Sequence, residues 1–467
     1  MSNIQLNDDT IVAPATAAGV GAIAIIRISG KKAFEIADAV FVSKKKNGEN
    51  ISSQSSHTIH FGWIQDGDKN IDEVLISIFK NPHSYTGEDV IEISCHGSLF
   101  IQQQIIQLIL KLGARSAEPG EFTLRAFMNG KMDLSQAEAV ADLIASDSAA
   151  SHDLALKQMR GGYSSEMKQL RDQLINFASL IELELDFSEE DVEFADRKEL
   201  AVLISHLIAH ISSLISSFEL GNVLKQGIPV VIAGKPNVGK STLLNALLNE
   251  ERAIVSHIAG TTRDTIEEEI VLSGIKFRFI DTAGLRETSD AIESIGVNRT
   301  MEKINQSPIL IYMFDVTEST AAGLKEELDK LKKDIPSTNF KVILAGNKMD
   351  TSDQQKLEQE FKSLGEVIFI SAKQKINLSL LTQKLLEEIN LSTRPDNFIV
   401  TNARHVEALQ NTNASLQNVL EGLHQKRSGD LLSPDIRNAL YHLGLITGEV
   451  TNDTLLANIF GKFCIGK

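Results

Sequence analysis

A glycine-rich segment from Gly234 to Ser241 has the pattern G-x-x-x-x-G-K-S. In such a pattern the glycines let backbone N–H groups turn toward phosphate oxygens, and the helix that follows adds positive potential. Lys240 is then expected to neutralise the β- and γ-phosphates of a nucleotide, and the Ser241 hydroxyl to ligate Mg²⁺. The alternative is a plain glycine-rich turn between a strand and a helix. The motifs further along the chain decide between the two.

Three short motifs follow in chain order, each after an apolar run. In the segment 281–284, Asp281 can hold Mg²⁺ through water, and the backbone N–H of Gly284 can lie at the γ-phosphate. The segment 347–350 places the Asp350 carboxylate where it can accept from N1–H and N2–H₂ of guanine, a donor pair that adenine lacks. The segment 371–373 suits a loop over the base. One such motif alone is weak, but their order predicts GTP binding.

The candidate GTP-binding residues belong to these motifs and to a segment with two adjacent threonines. They are Asn237, Val238, Gly239, Lys240, Ser241, Thr242, Ser256, His257, Ile258, Ala259, Gly260, Thr261, Thr262, Asp281, Thr282, Ala283, Gly284, Asn347, Lys348, Asp350, Ser371, Ala372 and Lys373.

Leu285 stands where small signalling GTPases carry a glutamine that orients the attacking water. A leucine cannot orient water, so activation must come from elsewhere. Asn237 can offer an oxygen to a monovalent cation beside the phosphates, and such a cation would act as an arginine finger does, an effect of about 10³–10⁵ in rate. Glu287 and Glu293 can orient water, although residue chemistry alone favours solvated carboxylates.

The threonine pair Thr261–Thr262 lies between two phosphate motifs. From that place a threonine can close over Mg²⁺ and the γ-phosphate when GTP is bound. The position, rather than the pair itself, predicts this role.

Alternating strands and helices must position the nucleotide motifs. Apolar, β-branched runs predict four strands and the phosphate loop leads into a helix; the strands are expected at 228–233, 275–280, 341–345 and 367–370, and the helix at 242–249.

The rest of the chain divides by pattern. Before residue 129 it mixes strands at 21–29 and 74–79 with a helix at 99–112 and an exposed loop at 43–56. From Leu134 the apolar spacing is helical, with a break at Gly161–Gly162, a further helix at 198–218 and more helices after residue 394. The simplest architecture is a nucleotide-binding domain at 226–391 inserted into a helical domain formed by 130–225 and 392–467, after an N-terminal domain at 1–129.

Composition sets broad limits on function. The chain has 467 residues, of which 42% are hydrophobic and 23% charged, as in ordinary multidomain globular proteins. The formal net charge of −16 argues against broad, nonspecific nucleic-acid binding, so an RNA substrate would need a local patch or a more basic partner. Two distant cysteines favour a reducing cytoplasm over a disulfide framework. We expect neither a membrane span nor a secretory signal.

The chain ends with Cys464 followed by Ile-Gly-Lys. A lysine in the last place and the absence of an upstream polybasic stretch argue against prenylation. A thiol near a chain end can reach into a site, or it can dock the tail as a small apolar side chain. Residue chemistry favours docking.

Several further motifs stand out along the chain: Thr10–Ala13, Arg27–Gly30, Ser84–Asp89, Pro119–Thr123, Arg125–Phe127 and Asn129–Leu134. Together with the ending Phe-Cys-Ile-Gly-Lys, they resemble one family over nearly the whole chain: MnmE, the tRNA uridine-5-carboxymethylaminomethyl modification GTPases. The resemblance implies a multidomain α/β and all-α protein. It would have an N-terminal α/β domain like tetrahydrofolate-binding modules, a helical domain, and an inserted Ras-like G domain with a doubly wound mixed sheet.

The resemblance also assigns roles to single residues. It implies potassium ligands at Asn237, Ser256, Ile258 and Thr261, and magnesium ligands at Ser241 and Thr262. Glu293 matches the catalytic glutamate, against the reading from residue chemistry, and Cys464 matches a cysteine considered as a nucleophile. The folate-contacting residues match Arg27, Glu92 and Lys131, with Lys467 near that pocket. Two positions depart from the family pattern: Ser98 replaces a common glycine, and Glu118 replaces a common arginine.

By this resemblance the protein is a potassium-dependent, homodimeric, cytoplasmic GTPase. It works with an MnmG-type flavoprotein, which uses FAD and NADH, in a heterotetramer or larger complex. Together they add a carboxymethylaminomethyl or aminomethyl group to C5 of the wobble uridine of certain tRNAs, with a carbon from a tetrahydrofolate derivative in the 5,10-methylene or 5-formyl form. The competing hypothesis is a regulatory or ribosome-assembly GTPase without modification chemistry, and a stand-alone folate enzyme is a third.

Overall fold

The computed structural model of the protein describes residues 9–44, 50–186, 197–250, 267–281, 309–334, 341–388 and 399–466. The chain forms two compact units. The first unit contains residues 1–144, 155–211 and 407–467, and the second contains residues 145–154 and 212–406. Each unit is assembled from segments that are distant in sequence.

The first unit begins with a seven-stranded sheet in the order β3-β4-β5-β6-β2-β1-β7. Its strands are β1 (Ile11–Pro14), β2 (Ile23–Ser29), β3 (Phe41–Ser43), β4 (Thr58–Asp66), β5 (Lys69–Phe79), β6 (Val90–His96) and β7 (Arg115–Ser116). Two helices, α1 (Ala33–Val40) and α2 (Leu99–Lys111), bury their apolar faces against one side of it. Successive side chains of a strand point to opposite faces of the sheet, which explains why only one face packs on these helices. In β2, Ala24, Ile26 and Ile28 point into the core, while Arg27 points to the other face.

Helices follow the sheet in sequence, and several of them contain residues of both units. They are α3 (Glu121–Met128), α4 (Leu134–Ala145), α5 (Ala149–Met159), α6 (Gly162–Asp186), α7 (Arg197–Gln226), and, nearer the end of the chain, α12 (Ala403–His424), α13 (Gly429–Thr447) and α14 (Asp453–Phe460). The boundary between the two units falls within α4, α5, α7 and α12, whereas α3, α6, α13 and α14 belong wholly to the first unit. Helix α5 ends before Gly161 and α6 begins at Gly162, so the predicted break is confirmed. Helix α6 packs against α13, although the nucleotide motifs separate the two helices in sequence.

The second unit contains a six-stranded sheet in the order β13-β12-β11-β8-β10-β9. Its strands are β8 (Ile228–Ala233), β9 (Glu267–Leu272), β10 (Ile275–Asp281), β11 (Ile309–Asp315), β12 (Lys341–Asn347) and β13 (Val367–Phe369). All neighbours are parallel except β9, which pairs antiparallel with β10 at the edge. The predicted doubly wound mixed sheet is therefore confirmed.

Helices pack on both faces of this sheet, which is why its strands are continuous apolar runs. Val230 and Ile232 belong to one core and Val231 and Ala233 to the other. The helices of this unit include α8 (Lys240–Glu250), α9 (Ala321–Asp334), α10 (Gln354–Glu360) and α11 (Leu378–Glu388). Helix α8 starts at the end of the phosphate loop, two residues earlier than the sequence pattern predicts.

Among the described residues one helix, α7, is long and apolar enough to cross a membrane, with a mean hydropathy of 1.7 in its most apolar window. Length and composition are weak evidence here, because a core helix of a soluble protein meets the same criteria. One side of α7 is buried through Leu200, Ile204, Leu207 and Ile211.

Candidate nucleotide site and a second charged site

The parallel strands of the second unit end at one edge of its sheet, and the nucleotide motifs follow them there. In register, Asp281 pairs with Ile232, and Asp315 pairs with Asn347. Ligands of open α/β sheets bind at the carboxyl ends of the strands. The described motif residues are therefore brought together at the edge where a nucleotide is expected.

The phosphate loop has a backbone that only its glycines allow. Gly234 has φ +149°, and a Cβ placed on it would lie 2.0 Å from the Met313 carbonyl oxygen. Gly239 has φ +100°, and a Cβ there would lie 2.4 Å from Nδ2 of Asn347. Asn237 adopts φ +63° with an exposed side chain. The loop is thus a cradle of bare backbone, which fits a phosphate group.

Lys240 is buried under this loop. Its Nζ donates to the carbonyl oxygens of Gly234 and Lys235, both at 2.9 Å. These bonds hold the ammonium against the backbone of the loop. The next two residues, Ser241 and Thr242, lie exposed on the first turn of α8.

Asn347 joins three of the predicted motifs. It is 4% exposed, its Nδ2 donates to the Val238 carbonyl at 2.7 Å, and its Oδ1 accepts from the Ala372 N–H at 2.9 Å. The asparagine therefore fastens the phosphate loop and the 371–373 loop to the end of β12. The sequence predicted a nucleotide residue here but not this bridge.

Asp315 lies at the same edge of the sheet, beside the predicted residue Lys348, and the sequence analysis missed it. It is 3% exposed, pairs with the Lys348 ammonium, and accepts from the Thr317 N–H at 2.9 Å and hydroxyl at 2.7 Å. Burial alone would raise the pKa of Asp315, but the hydrogen bonds from Lys348 and Thr317 hold it below its ordinary value. A signal was present, because Asp315 ends an apolar strand as Asp281 and Asn347 do.

The two motifs predicted to recognise the base lie beside each other. Asp350 is exposed, and its Oδ2 accepts from Nε2 of Gln374 at 3.2 Å. Ser371 is buried, and it forms an isolated bridge with Ile376 that closes the turn containing the exposed Lys373. A carboxylate and a neighbouring turn on one edge suit a planar base with a donor pair.

The remaining nucleotide and metal predictions lie outside the described residues: Ser256, His257, Ile258, Ala259, Gly260, Thr261, Thr262, Thr282, Ala283, Gly284, Leu285, Glu287 and Glu293, together with the side chain of Asp281. Lys467 lies outside them as well.

In the first unit, Arg27 and Glu92 form a half-buried ion pair across β2 and β6. The Arg27 Nε donates to Glu92 Oε1 at 2.9 Å, and a terminal nitrogen lies 2.8 Å from the same oxygen. The guanidinium lies over the Tyr85 ring at 5.4 Å and the Phe122 ring at 5.7 Å. A charged pair bordered by aromatic rings suits a flat, polar, aromatic ligand.

Lys131 contacts the loop that carries Tyr85 rather than the ion pair itself. Its Nζ donates to the Pro82 carbonyl at 3.0 Å, and its stem packs beside Gly87.

The structure also describes the two positions that depart from the family pattern. Ser98 has φ −76°, a conformation open to any residue. Glu118 is exposed, and its N–H donates to Glu121 at 2.8 Å.

The tail contradicts the docking role favoured for Cys464. Its thiol is exposed, and the contacts of the tail come from its neighbours. The Gly120 N–H donates to the Cys464 carbonyl at 3.3 Å, the Phe463 ring packs on Phe460, and Gly466 is buried against the Pro14 carbonyl. Backbone and aromatic contacts fix the tail, so the thiol needs no burial.

A buried arginine explains several of the family-like motifs. Arg125 is 1% exposed and lies within 3.2 Å of carboxylate oxygens of Asp9, Glu88 and Glu121. Arg115 pairs with two of the same carboxylates. Burial alone would raise the pKa of Glu121, but the arginines hold it below the usual range. These motifs therefore build the first unit, and sequence reasoning named them without finding this network.

Comparison with known proteins gives matches along the chain. A family model described as GTP-binding protein TrmE N-terminus matches residues 10–131, and one described as MnmE helical domain matches residues 134–464. A protein named tRNA modification GTPase MnmE from Flavobacterium psychrophilum is 56% identical, with 98% of this chain and 99% of the relative covered. One of the same name from Cytophaga hutchinsonii is 55% identical, with 100% and 99% covered.

Solved structures match part of the chain. The crystal structure of Era from Aquifex aeolicus bound to GDP·AlF4− is 27% identical over 41% of this chain and 67% of that one, with a TM-score of 0.28. A score that low carries no argument about function.

Proposed function

The chain belongs to the MnmE family of tRNA modification GTPases, and from this premise we propose that it hydrolyses GTP in a potassium-dependent cycle that serves wobble-uridine modification. It is a GTP hydrolase that acts in tRNA modification. The observation that carries the proposal is Asn347, which ties the phosphate loop to the base-recognition loop through two buried hydrogen bonds.

Lys240 and Ser241 handle the phosphates in this proposal. The Lys240 ammonium, which now donates to two loop carbonyls, would donate to β- and γ-phosphate oxygens when GTP occupies the loop. Ser241 and Thr262 would hold Mg²⁺, with Asp281 acting through water. Asp350 would accept hydrogen bonds from the N–H groups of the guanine edge. Asp315 would hold Lys348 in place beside it through their ion pair.

Hydrolysis needs a group that replaces the missing glutamine. Asn237 is exposed in the phosphate loop and held in a left-handed conformation, which suits an oxygen ligand for potassium next to the phosphates. Ser256, Ile258 and Thr261 would complete that site, and Glu293 would orient the water. We propose that two G domains associate across their nucleotide faces to close it, so that hydrolysis drives a conformational change.

The first unit would bind the one-carbon donor. Arg27 and Glu92 offer donors and an acceptor between two aromatic rings, which fits the polar edge and flat face of a tetrahydrofolate derivative. Lys131 and Lys467 would add positive charge for its carboxylates. The folate, in its 5,10-methylene or 5-formyl form, supplies the carbon when bound, and Cys464 is exposed on the docked tail as a candidate nucleophile.

The remaining chemistry belongs to partners. We propose a homodimer that works in the cytoplasm with an MnmG-type flavoprotein, which would use FAD and NADH in a heterotetramer or larger complex. The net charge of −16 agrees with a division in which the partner provides most of the attraction for tRNA. The domain boundaries 1–129, 130–225, 226–391 and 392–467 belong to the same proposal.

Hydrolysis is tested by the rate of phosphate release from GTP in potassium and in sodium at equal ionic strength. We expect a much faster rate in potassium, and Asn237→Ala should remove the difference. Glu293→Ala should cut the turnover number while GTP affinity stays nearly intact. Equal rates in the two salts would refute the cation mechanism, and a large loss of affinity in Glu293→Ala would indicate a structural role.

The cellular role is tested by mass spectrometry of wobble uridines from cells that lack this protein. Loss of the C5 substituent, restored by the wild-type chain but not by Glu293→Ala, is the expected result. Fully modified uridines together with defective ribosome assembly would support the regulatory GTPase instead.

A further inference from the structure

Lys235 is the first variable residue of the phosphate loop, and the nucleotide chemistry described above leaves its side chain without a role. Its Nζ lies 2.5 Å from Oε1 of Glu327 on α9. The other carboxylate oxygen of Glu327 accepts a hydrogen bond of 2.7 Å from the Tyr312 hydroxyl. The three side chains therefore form a continuous polar chain from the loop to the sheet.

Tyr312 is the fixed end of this chain. It is 7% exposed and lies on β11, where it pairs in register with Ala233, the last residue of β8. The next residue of β11, Met313, is the one whose carbonyl approaches Gly234 at the entry to the loop. The Tyr312 hydroxyl is thus anchored directly beside the point where the phosphate loop leaves the sheet.

Lys235 is the exposed end of this chain, and its backbone matters to the phosphate site. Its carbonyl is one of the two that accept from Lys240, and Asn237 follows two residues later. Any shift of Lys235 would therefore move a group that contacts the phosphate-binding lysine. Burial alone would raise the pKa of Glu327, but Lys235 and Tyr312 lower it, so the carboxylate is charged at neutral pH.

We propose that Glu327 and Tyr312 are positioning residues for nucleotide binding, which fix the start of the phosphate loop by pairing with the Lys235 side chain. They act through Lys235 and need no contact with the nucleotide. The inference rests on GTP binding at this loop and adds that a side chain of α9 holds the loop in position.

Because the Lys235–Glu327 ion pair is exposed to solvent, its effect on the position of the loop can be measured apart from its effect on protein stability. The Lys235 side chain is 65% exposed and that of Glu327 32% exposed, so solvent screens the pair and it contributes little to folding. Loss of the pair should leave the melting temperature nearly unchanged. The loop itself, by contrast, should become less ordered, and the ligand that depends on its backbone should be released faster.

The experiment uses the full chain and a fluorescent GTP analogue whose dissociation is followed by stopped flow. Glu327→Gln should speed release by roughly 1.5- to fivefold, the range expected for loss of one solvent-screened ion pair, and Tyr312→Phe should give a smaller change in the same direction. The matched control is Glu326→Gln, an exposed neighbour on the same helix, which should release the analogue at the wild-type rate.

A double-variant cycle tests whether the effect passes through Lys235. In a Lys235→Met background, Glu327→Gln should add no further change, because the pair is already broken. Unchanged or slower release in Glu327→Gln would overturn the proposal, since a lysine merely freed beside the phosphates would slow release. Additive effects, or a melting temperature that falls in parallel, would overturn it as well. Failure of the wild-type chain to bind the analogue would refute GTP binding itself.

Discussion

Replacing Asn347 with alanine tests the idea that one buried amide holds the nucleotide site together. The side chain is 4% exposed and has a partner at each end, the Val238 carbonyl and the Ala372 N–H. Both partner residues are themselves buried. Alanine would remove the amide and leave a carbonyl and an N–H without their bonds.

The size of the effect follows from these two orphaned groups. Leaving one buried polar group unsatisfied costs about 1–3 kcal/mol, so the second unit should lose about 2–6 kcal/mol of its free energy of unfolding. For a unit of this size, each kcal/mol corresponds to a fall of roughly 2–4 °C in melting temperature. Affinity for GTP should fall too, because the phosphate and base loops no longer share a fixed point.

The assay must report on the second unit alone. The only tryptophan, Trp63, lies on β4 in the first unit, so its fluorescence does not follow the sheet that carries Asn347. Circular dichroism in urea follows both units, so the part of its change that does not coincide with Trp63 fluorescence reports on the second unit, and release of a fluorescent GTP analogue reports on the nucleotide site. The Trp63 transition should stay where it is in the wild-type protein, as an internal control.

Gln355→Ala, an exposed polar truncation on α10, is the matched control and should change neither transition. If Asn347→Ala lowered the free energy of unfolding by less than about 0.5 kcal/mol, the bridging bonds would carry no net energy and the reasoning would fail. A shift of the Trp63 transition equal to that of the second unit would also refute it, because the damage would then be global.

Three further outcomes are expected. Asp315→Asn should weaken GTP binding roughly two- to fivefold in a fluorescence titration, because Lys348, whose side chain is 40% exposed, loses a charged partner that solvent partly screens; unchanged affinity would contradict the anchoring role. Arg125→Met should lower the free energy of unfolding of the first unit, followed by Trp63 fluorescence, by about 3–5 kcal/mol, since three carboxylates lose their shared cation; a loss under about 1 kcal/mol would dismiss the network. The pKa of Glu121 is lower in the folded protein than in the unfolded chain, so its ionisation stabilises the fold at pH values above the ordinary carboxylate pKa of about 4. This stability is lost as the pH falls through the pKa of Glu121 in the folded protein. A denaturation midpoint that stays level from pH 5 to about pH 2 would disprove this.

Local patterns predicted the elements well where the pattern and the structure have the same cause. The strand at Ile228–Ala233 is found as predicted, and the strand at Ile275–Asp281 is one residue longer. A buried parallel strand must be an apolar run wherever its neighbours lie. The helix at Leu99–Lys111 ends within one residue of its predicted bound, because its apolar spacing reports the face that packs on the sheet.

Side-chain partners were predicted poorly, as Cys464 and Arg125 illustrate. Cysteine chemistry favoured burial for Cys464, but its neighbours already fix the tail and leave the thiol exposed. Arg125 was singled out as part of a motif, yet nothing in its own segment shows that Asp9 and Glu88 lie against it. These contacts cross long stretches of chain, and no spacing rule relates their ends.

The sequence by itself was enough to identify the phosphate-loop pattern and the family and to predict guanine recognition, because the residues expected to hold a phosphate or a base are consecutive at the end of a strand. The tertiary structure alone decided that Asn347 bridges the loops, that Asp315 anchors Lys348, and that Glu327 grips Lys235. Those pairs depend on β11 lying between β8 and β12. Hydrophobic burial does not fix that order, since apolar strands would be covered equally well in another one.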